Sequence, residues 1–434
     1  MRKAALHNLG CKVNAYETEA MGQLLREAGY ELVSFDVGAD VYVINTCTVT
    51  NVADRKSRQM LHRARKLNPQ AIVVAVGCYA QMAGEKLLED GAVDLVIGNN
   101  KKKDLAAILE AYERGQEAET LIDINHTKEY EGLFVSEQTE RTRAYVKVQD
   151  GCNQFCSYCM IPFARGRVRS RSLIEVRSEV ERLAAGGYQE VVLTGIHLSS
   201  YGVDLSGVDL LSLIRMVHEV SGIRRIRLGS LEPRIVTEEF AVALAELPKV
   251  CPHFHLSLQS GCDAVLGRMN RRYTTGEYEE ACRLLRRVFG NPALTTDVIV
   301  GFPGETEEEF AKTEAFLSRI AFFETHIFKY SRRKGTKAAA MEGQLSERVK
   351  TERSGVLLGL NEVHRRRYLE SQIGRPVEIL VEESVQIGER IYQTGHTREY
   401  CRAVIDVEPN LTGRIVKAFG EKLLENGFLL CKLL

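Results

Sequence analysis

The stretch AYVKVQDGCNQFCSYCM, residues 144–160, joins a short strand-like run to three closely spaced cysteines. Cys152, Cys156 and Cys159 stand in the pattern C-x3-C-x2-C. Iron–sulfur clusters are held by cysteine thiolates, normally four of them. Three thiolates therefore predict a [4Fe–4S] cluster with one iron left open to a substrate or cofactor. A zinc knuckle is the alternative, but it needs a fourth Cys or His close by, and the next histidine downstream is His197.

The cysteine loop follows the first of six strand-like runs that alternate with helical patterns. The runs cover 144–149, 190–195, 225–230, 253–259, 294–301 and 325–331. The helical patterns fill 174–186, 209–221, 237–247, 277–289 and 306–320, and a long charged helix is predicted over 346–370. This alternation predicts an α/β fold whose centre is a partial (β/α)6 barrel of the TIM type.

Polar residues and glycines recur just beyond the strands of this predicted barrel. The C-terminal strand ends carry the chemistry in such barrels, so these residues are candidate ligand contacts. Loop formation explains any one of them, but their recurrence at successive strand ends favours a binding site. They are Thr194, Gly195 and His197, then Ser230 and Glu232, then Gln259, Ser260 and Gly261, and finally Asp297 and GFPGE (301–305).

The N-terminal part holds a second set of three cysteines, Cys11, Cys47 and Cys78. Apolar runs at 4–9, 41–46, 71–77 and 94–98 alternate there with helical patterns at 15–29, 52–67, 82–90 and 101–114, which predicts a parallel α/β sheet. Each cysteine directly follows a predicted strand, and ligands gather beyond the carboxyl ends of parallel strands. A second [4Fe–4S] cluster with an open iron is predicted; three buried cysteines that only pack are the alternative.

The remaining cysteines follow no ligand spacing and are interpreted as packing residues. They are Cys251, Cys262, Cys282, Cys401 and Cys431. The ten histidines show no clustering in the sequence and are interpreted as structural, and no HExxH or Walker motif is present.

The tail of the chain, about 372–434, consists of short alternating runs split by Gly, Pro or Asn. This pattern predicts a small five-stranded barrel of the OB type, a fold that often binds oligonucleotides. A purely structural role for the tail stays open. The polar composition of segment 115–140 predicts a linker or extended arm. The predicted domains are therefore 1–116, 138–370 and 371–434.

The 434-residue chain carries 58 Lys+Arg against 58 Asp+Glu, so any nucleic-acid contact must come from a local patch. Arg165, Arg167, Arg169 and Arg171 occupy every second position after the cysteine loop. In an extended segment they would point to one side and form a strip for RNA phosphates. A solvated or internally paired arginine run is the alternative. No signal peptide or membrane-crossing run is found, which predicts a cytoplasmic protein.

Longer motifs carry a family resemblance. The cysteine loop, with Tyr158 before the third cysteine, resembles that of radical S-adenosylmethionine enzymes, and VIVGFPGE (298–305) resembles their adenine-contacting strand and loop. The matches LGCKVNAYETE (9–19), NTCTVTNVADRKSRQ (45–59), VGCYAQ (76–81) and GCNQFCSYCMIPFARGRVRSR (151–171), together with the tail, resemble the methylthiotransferases. NTCTVTN and ARGRVRSR look most like the members that act on N6-threonylcarbamoyladenosine beside the tRNA anticodon.

The resemblance implies two [4Fe–4S] clusters, S-adenosylmethionine as methyl donor and radical source, and a C-terminal TRAM domain that binds tRNA. It also implies a sulfur source and an electron donor such as flavodoxin or ferredoxin. Related members that modify isopentenyladenosine or a ribosomal-protein aspartate leave the substrate open, and a non-enzymatic RNA-binding metal protein is a further alternative. The implied cofactor contacts are Tyr158, Thr194, Gly195, Glu232, Gln259, Ser260, Asp297, Ile299 and Gly301.

Overall fold

The first 113 residues form a parallel β-sheet with helices on its faces. The computed structural model describes residues 1–135, 142–407 and 409–434. The strands are β1 (Lys3–Asn8), β2 (Glu31–Leu32), β3 (Val41–Thr46), β4 (Ile72–Gly77) and β5 (Leu95–Ile97). The α-helices are α1 (Lys12–Glu27), α2 (Asn51–Leu67), α3 (Cys78–Ala83) and α4 (Leu105–Glu113), with 3-10 turns at Phe35–Val37, Gly84–Asp90 and Lys102–Asp104.

This sheet has the order β2-β1-β3-β4-β5, and all its strand pairs are parallel. All six residues of the central strand β3, VYVINT, are buried, because helices cover both faces of the sheet. Helix α2 begins after Thr50, whose hydroxyl accepts a hydrogen bond from the backbone N–H of Ala53. The predicted parallel α/β sheet is confirmed, and β1, β3 and β4 lie side by side.

The middle of the chain forms the predicted partial barrel. Its strands are β6 (Arg143–Asp150), β7 (Arg169–Ser170), β8 (Glu190–Gly195), β9 (Arg225–Leu228), β10 (His253–His255), β11 (Ala293–Val300) and β12 (Glu324–Lys329). Its α-helices are α5 (Ile161–Ala164), α6 (Leu173–Ala185), α7 (Leu210–Glu219), α8 (Glu238–Ala245), α9 (Asp263–Arg268), α10 (Thr275–Phe289), α11 (Glu307–Ile320) and α12 (Glu347–Glu370), with 3-10 turns at Leu198–Ser200, Pro233–Ile235 and Lys337–Ala340.

Six of these strands run parallel in two sheets, three in the order β6-β8-β9 and three in the order β10-β11-β12. Two isolated parallel bridges, Ile226 with Val250 and Leu231 with Leu256, link β9 to the β10 side. The short strand β7 pairs antiparallel with the end of β6. Strand β10 ends at His255, earlier than the predicted run 253–259, and only isolated bridges at Leu256 and Gln259 continue the pairing beyond it.

The tail is a closed five-stranded barrel, as the sequence predicts. It consists of β13 (Pro376–Ile387), β14 (Arg390–Thr397), β15 (Arg402–Ile405), β16 (Ile415–Leu423) and β17 (Leu429–Leu433). The ring order is β13-β14-β15-β17-β16, and β16 pairs back onto β13. Arg225 and Arg227, on β9, donate hydrogen bonds to carbonyls of the tail, so the small barrel docks at the end of the large barrel that lies opposite its C-terminal strand ends.

The sheets of the described residues fall within the predicted segments 1–116, 138–370 and 371–434, although residue 138 lies outside the described residues. The described part of the polar segment 115–140 is an extended arm that packs on the first sheet. Gly98 donates a backbone hydrogen bond to Thr120, and Leu133 and Val135 pack with Tyr16 of α1. Within the described residues, no helix has the length and apolar character needed to cross a bilayer.

Candidate functional site

Cys11, Cys47 and Cys78 lie at the carboxyl ends of three neighbouring strands. They follow β1, β3 and β4, and Cys78 begins helix α3. Burial raises the pKa of the Cys47 thiol to about 12, and the nearby Cys78 and Cys11 sulfurs contribute to the rise. Burial also raises the pKa of Cys11, although its side chain remains accessible to water, as expected for a residue that lines a cavity.

Small and amide residues support these cysteines. Gly10 has a φ of +112°, and a Cβ at this position would lie 3.0 Å from the Cys47 sulfur, so only glycine allows this approach. The Asn14 amide donates to the carbonyls of Leu9 and Thr46, which ties two of the strand ends together. Asn99 donates toward Cys78 Sγ at 3.8 Å. Such neighbours orient thiolate ligands and tune a bound cluster.

Arg165, which follows the barrel's cysteine loop, contacts Cys78 of the first sheet. Its Nε donates to Cys78 Sγ at 3.1 Å, and its other guanidinium nitrogens bond to Glu17, Asp150 and Asn14. Burial opposes ionisation of Asp150, but the adjacent Arg165 and Lys147 hold the pKa of this carboxyl well below its usual range. The guanidinium therefore stays charged and fixed beside the cysteine sulfur.

The junction around Arg165 carries more positive than negative buried charge. Four buried cations face three buried carboxylates, an excess of one positive charge. Buried charges are costly unless they are paired. A thiolate-ligated iron–sulfur cluster at Cys11, Cys47 and Cys78 would supply the missing anion, so the donor set fits such a group. The cations are Lys102, Lys147, Arg165 and Arg169, and the carboxylates are Glu17, Glu131 and Asp150.

Cys152, Cys156 and Cys159 lie in the loop between β6 and α5. The backbone N–H of Gln154 donates to the Cys152 sulfur, and that of Ile161 donates to the Cys159 sulfur, both at 3.4 Å. Burial raises the pKa of Cys152 to about 11 and of Cys159 to about 12. Cysteine thiols lose their protons when they bind a metal, so iron bound at this loop would release protons.

The turn after α9 holds this loop in place. Ser157 donates its backbone N–H to the carbonyl of Met269, and Asn270 donates its amide to the carbonyl of Phe155. Arg271 donates to Cys156 Sγ at 3.2 Å. Sequence reasoning missed Arg271, because its distance of 115 residues from Cys156 gives no local signal.

The spacing of both cysteine sets differs from that of a single-ion site. Three thiolates on one zinc ion, at Zn–S distances of about 2.3 Å, would lie within about 4.6 Å of one another. In the described part of the chain, one group of three or more His, Cys, Asp or Glu ligand atoms converges within 4.8 Å, and it contains no cysteine. The wider spacing suits thiolates that bind different irons of one cluster.

Several of the predicted cofactor contacts lie near the cysteine loop. Tyr158 and Ile299 both pack against the apolar cluster around Phe302. Burial alone would raise the pKa of Glu232, but its contact with His197 lowers it below its usual value. Gln154, in the cysteine loop, donates to the same carboxylate at 3.4 Å. Their contact with a cofactor stays a prediction.

The surroundings of three further predicted cofactor contacts neither require nor prevent such a contact. These residues are Gln259, Thr194 and Gly195. The strained φ of +73° at Gln259 occurs where its backbone bonds with Asp297 and Ile299 of β11. Thr194 is almost completely buried, and a Cβ on Gly195 would lie 2.8 Å from Gln149 Oε1.

Two predicted cofactor contacts face away from the barrel interior. The Ser260 side chain is fully buried and its hydroxyl lies 3.2 Å from Thr313 of α11, and a contact between Ser260 and a cofactor stays a prediction. A Cβ on Gly301, where φ is +72°, would lie 2.4 Å from Lys350 of α12. Gly301 is therefore required by helix packing, and only its backbone remains available to an adenine.

The predicted RNA-binding arginine strip is wrong for three of its four members. Arg165, Arg169 and Arg171 are at most 1% exposed, because β7 folds the chain back along β6 into the junction. Arg171 pairs with Glu179 of α6. Only Arg167 is partly exposed, and its guanidinium lies 4.6 Å from the centre of the Phe155 ring.

Two of the histidines that lie far apart in the sequence come together in the fold. His255 and His326 converge with Asp297 on three neighbouring barrel strands, β10, β12 and β11. Asp297 therefore lies beside these histidines, below the strand end where a cofactor contact was predicted. Sequence reasoning missed the group because only the strand order brings the three residues together. The five remaining cysteines, predicted to pack, are all buried.

Family comparisons match the two cysteine-bearing parts separately. Residues 3–98 match a family described as uncharacterized protein family UPF0004, and residues 146–317 match the radical SAM superfamily. The chain is 41% identical over 431 residues to the threonylcarbamoyladenosine tRNA methylthiotransferase MtaB of Bacillus subtilis, covering 99% of this chain and 95% of the relative. It is 36% identical to the tRNA-2-methylthio-N(6)-dimethylallyladenosine synthase of Moorella thermoacetica, covering 94% and 93%.

Among solved structures, the radical S-adenosylmethionine methyltransferase TsrM of Kitasatospora setae has a similar fold. The TM-score is 0.58 at 18% identity, over 78% of this chain and 74% of TsrM. This similarity concerns the fold alone. The full-length identity to the Bacillus subtilis relative, together with the radical SAM match, places the chain in the radical S-adenosylmethionine methylthiotransferase family.

Proposed function

We propose that this protein adds a methylthio group to C2 of N6-threonylcarbamoyladenosine at position 37 of tRNA. The observation that carries this proposal is the 41% identity, over nearly the whole chain, to a threonylcarbamoyladenosine tRNA methylthiotransferase. The two cysteine sets support it, because the reaction needs both a radical source and a sulfur supply.

The radical SAM match indicates a [4Fe–4S] cluster with S-adenosylmethionine, and we assign Cys152, Cys156 and Cys159 as its ligands. We assign Cys11, Cys47 and Cys78 as ligands of a second cluster. When bound, these groups supply the radical that removes an inert adenine C2 hydrogen and the sulfur that replaces it. The protein's residues position the clusters. Arg165 holds Cys78 of the N-terminal set, and Arg271 holds Cys156 of the barrel loop.

For tRNA binding, we propose the tail barrel as one surface and the rim of the cysteine loop as another. The exposed rings of Phe155 and Phe163 lie edge to face there, and Arg167 lies over Phe155. Aromatic rings and arginine planes bind unstacked bases of single-stranded loops. A cytoplasmic location, an electron donor such as flavodoxin or ferredoxin, and a separate sulfur source belong to this proposal.

A second candidate substrate is dimethylallyladenosine in tRNA, because the Moorella relative is named for it and matches over similar lengths. Mass spectrometry of tRNA nucleosides from cells with and without the gene distinguishes the two. The expected result is loss of the methylthio form of threonylcarbamoyladenosine alone. Loss of the dimethylallyl form instead, or modification of a ribosomal protein, would contradict the proposal.

The roles of the two cysteine sets are tested with triple variants. Replacing Cys152, Cys156 and Cys159 by Ala should abolish reductive cleavage of S-adenosylmethionine. Replacing Cys11, Cys47 and Cys78 should leave cleavage intact and stop methylthiolation. A matched control replaces the buried packing residues Cys282 and Cys431, which should change neither reaction. Methylthiolation by the N-terminal triple variant would overturn the second-cluster assignment.

A further inference from the structure

Three polar side chains from neighbouring barrel strands form one group. His255 lies on β10, Asp297 on β11 and His326 on β12. The distance between His255 Nε2 and Asp297 Oδ2 is 3.2 Å, and the two imidazole rings stack at 5.7 Å with an angle of 21°. One nitrogen or oxygen of each residue lies within 4.8 Å of the other two.

This group faces the interior of the barrel. Phe254 of β10 and Val298 of β11, the immediate neighbours of His255 and Asp297, are fully buried in the core behind the strands. Successive strand residues point to opposite faces, so His255 and Asp297 point inward. Neither is completely buried, and His326 is exposed, which leaves space for a ligand. The Thr295 hydroxyl lies 3.0 Å from His255 Nδ1 and holds that ring in place.

The group lies one layer below the cysteine loop. Ile299 is two residues beyond Asp297 on the same face of β11, and it packs against the cluster that also receives Tyr158. At a rise of about 3.3 Å per residue, the group lies about 7 Å deeper in the barrel than that layer. An adenine at the cysteine loop whose N6 faces the barrel interior would hold its N6 substituent at this depth.

Lys12 brings a cation into the same interior from the first sheet. It directly follows Cys11, and Asp297 is among the charges that act on it. Within residues 1–135, 142–407 and 409–434, its ammonium forms no ion pair or hydrogen bond. Tyr400 of the tail closes the floor of the barrel, with Arg143 and Arg227 against its ring. Arg143 pairs with Glu382 and Arg227 pairs with Glu190, so of these three cations Lys12 is the one left to balance a negative charge near Asp297.

The chemistry of the group fits an amino acid attached through a urea linkage. Such a substituent offers N–H and hydroxyl donors, which a carboxylate accepts, and its own carboxylate, which imidazole and ammonium groups bind. A dimethylallyl group offers neither. We propose that His255, Asp297 and His326, together with Lys12, bind the threonylcarbamoyl group of the substrate and select it over an unmodified or dimethylallyl adenosine.

This inference rests on the proposed function and specifies its substrate pocket. Sites built to hydrogen-bond a substrate group discriminate strongly against analogues that lack it, because their polar groups are then left unpaired. Two imidazoles and a carboxylate are also a ligand set for a divalent metal ion. The experiment must therefore distinguish metal binding from binding of the threonylcarbamoyl group.

The test measures binding of anticodon stem-loop RNAs to the full iron-loaded chain by fluorescence anisotropy without oxygen. The RNAs differ only at position 37, which carries threonylcarbamoyladenosine, its methyl ester or plain adenosine. The native protein should prefer the first RNA over the others. Asp297→Asn and His326→Ala should each reduce this preference about tenfold to a hundredfold. His62→Ala, at an exposed site on α2, is the matched control.

An unchanged preference in both variants would overturn the inference. A second result would also overturn it: the native protein binds one equivalent of Zn²⁺, His326→Ala loses the Zn²⁺, and the RNA preference does not change. The group would then be a metal site instead. The proposed function has its own readout in the same samples. If the native protein fails to methylthiolate the threonylcarbamoyl RNA when given S-adenosylmethionine and a reductant, the proposed function fails independently of the binding result.

Discussion

The Nε of Arg165 lies 3.1 Å from the Sγ of Cys78, although the two residues are 87 positions apart. Arg165 follows the last cysteine of the barrel loop by six residues, and Cys78 directly follows β4 of the first sheet. One fully buried guanidinium therefore links the two cysteine sets and fixes their relative position.

Arg165→Lys should weaken iron loading at Cys11, Cys47 and Cys78, because lysine keeps the charge but loses the forked contacts. The measurement is the iron and sulfide content in a background where Cys152, Cys156 and Cys159 are Ala. The background protein should hold about four irons per chain, and the lysine variant less than half as many. Arg167→Lys is the control, and equal iron content in the two lysine variants would contradict the role assigned to Arg165.

Arg271→Gln should lower the reduction potential of the cluster at the cysteine loop. Its guanidinium donates to Cys156 Sγ, and loss of a charged hydrogen bond makes the reduced, more negative cluster less stable. We expect a fall of about 60 mV, the one-electron equivalent of a charged hydrogen bond, measured by a redox titration followed by electron paramagnetic resonance. The exposed neighbour Arg272→Gln should leave the potential unchanged.

Glu17→Gln should destabilise the protein by about 3–5 kcal/mol near neutral pH, because it leaves buried cations without their partner. Burial alone would raise the pKa of Glu17, but Arg165, Lys102 and Lys147 hold it well below its usual value. A carboxylate with a lowered pKa stabilises the fold above its unfolded pKa, near 4.5, and this contribution is lost as the pH falls further.

The difference in unfolding free energy between native protein and Glu17→Gln should thus stay constant from pH 8 to pH 5 and shrink only at more acidic pH, as measured by urea unfolding. Glu31→Gln, at an exposed position of β2, should show no such difference. A difference in unfolding free energy that grows as the pH falls would contradict the role assigned to the ion pairs of Glu17.

Phe163→Ala should weaken tRNA binding, since stacking of a base on an aromatic ring contributes about 1–3 kcal/mol. We expect a loss of affinity of about tenfold or more for the anticodon stem-loop, with S-adenosylmethionine cleavage unchanged. Tyr112→Ala, an equally exposed ring on α4, is the control. The same affinity in both variants would exclude the aromatic rim as an RNA surface.

The fold class could be predicted because its signals are local. Alternating apolar and helical periods located the longer strands and helices to within a few residues, and the tail runs predicted a five-stranded barrel. The short elements β2, β7, α5 and α9 were not predicted. The spacing of Cys152, Cys156 and Cys159 identified the cysteine loop, since residues within one loop cannot lie far apart. Cys11, Cys47 and Cys78 were found because parallel strands bring their carboxyl ends to one edge.

The chain by itself determined these elements and the two cysteine sets, because hydrophobic period and short-range spacing are properties of neighbouring residues. Only the tertiary structure decided which charges are buried. It turned Arg165, Arg169 and Arg171 from an expected RNA surface into an internal network, and it brought His255, Asp297 and His326 together. Both outcomes depend on which strands lie side by side, and burial and pairing between distant residues follow from that packing rather than from the local sequence.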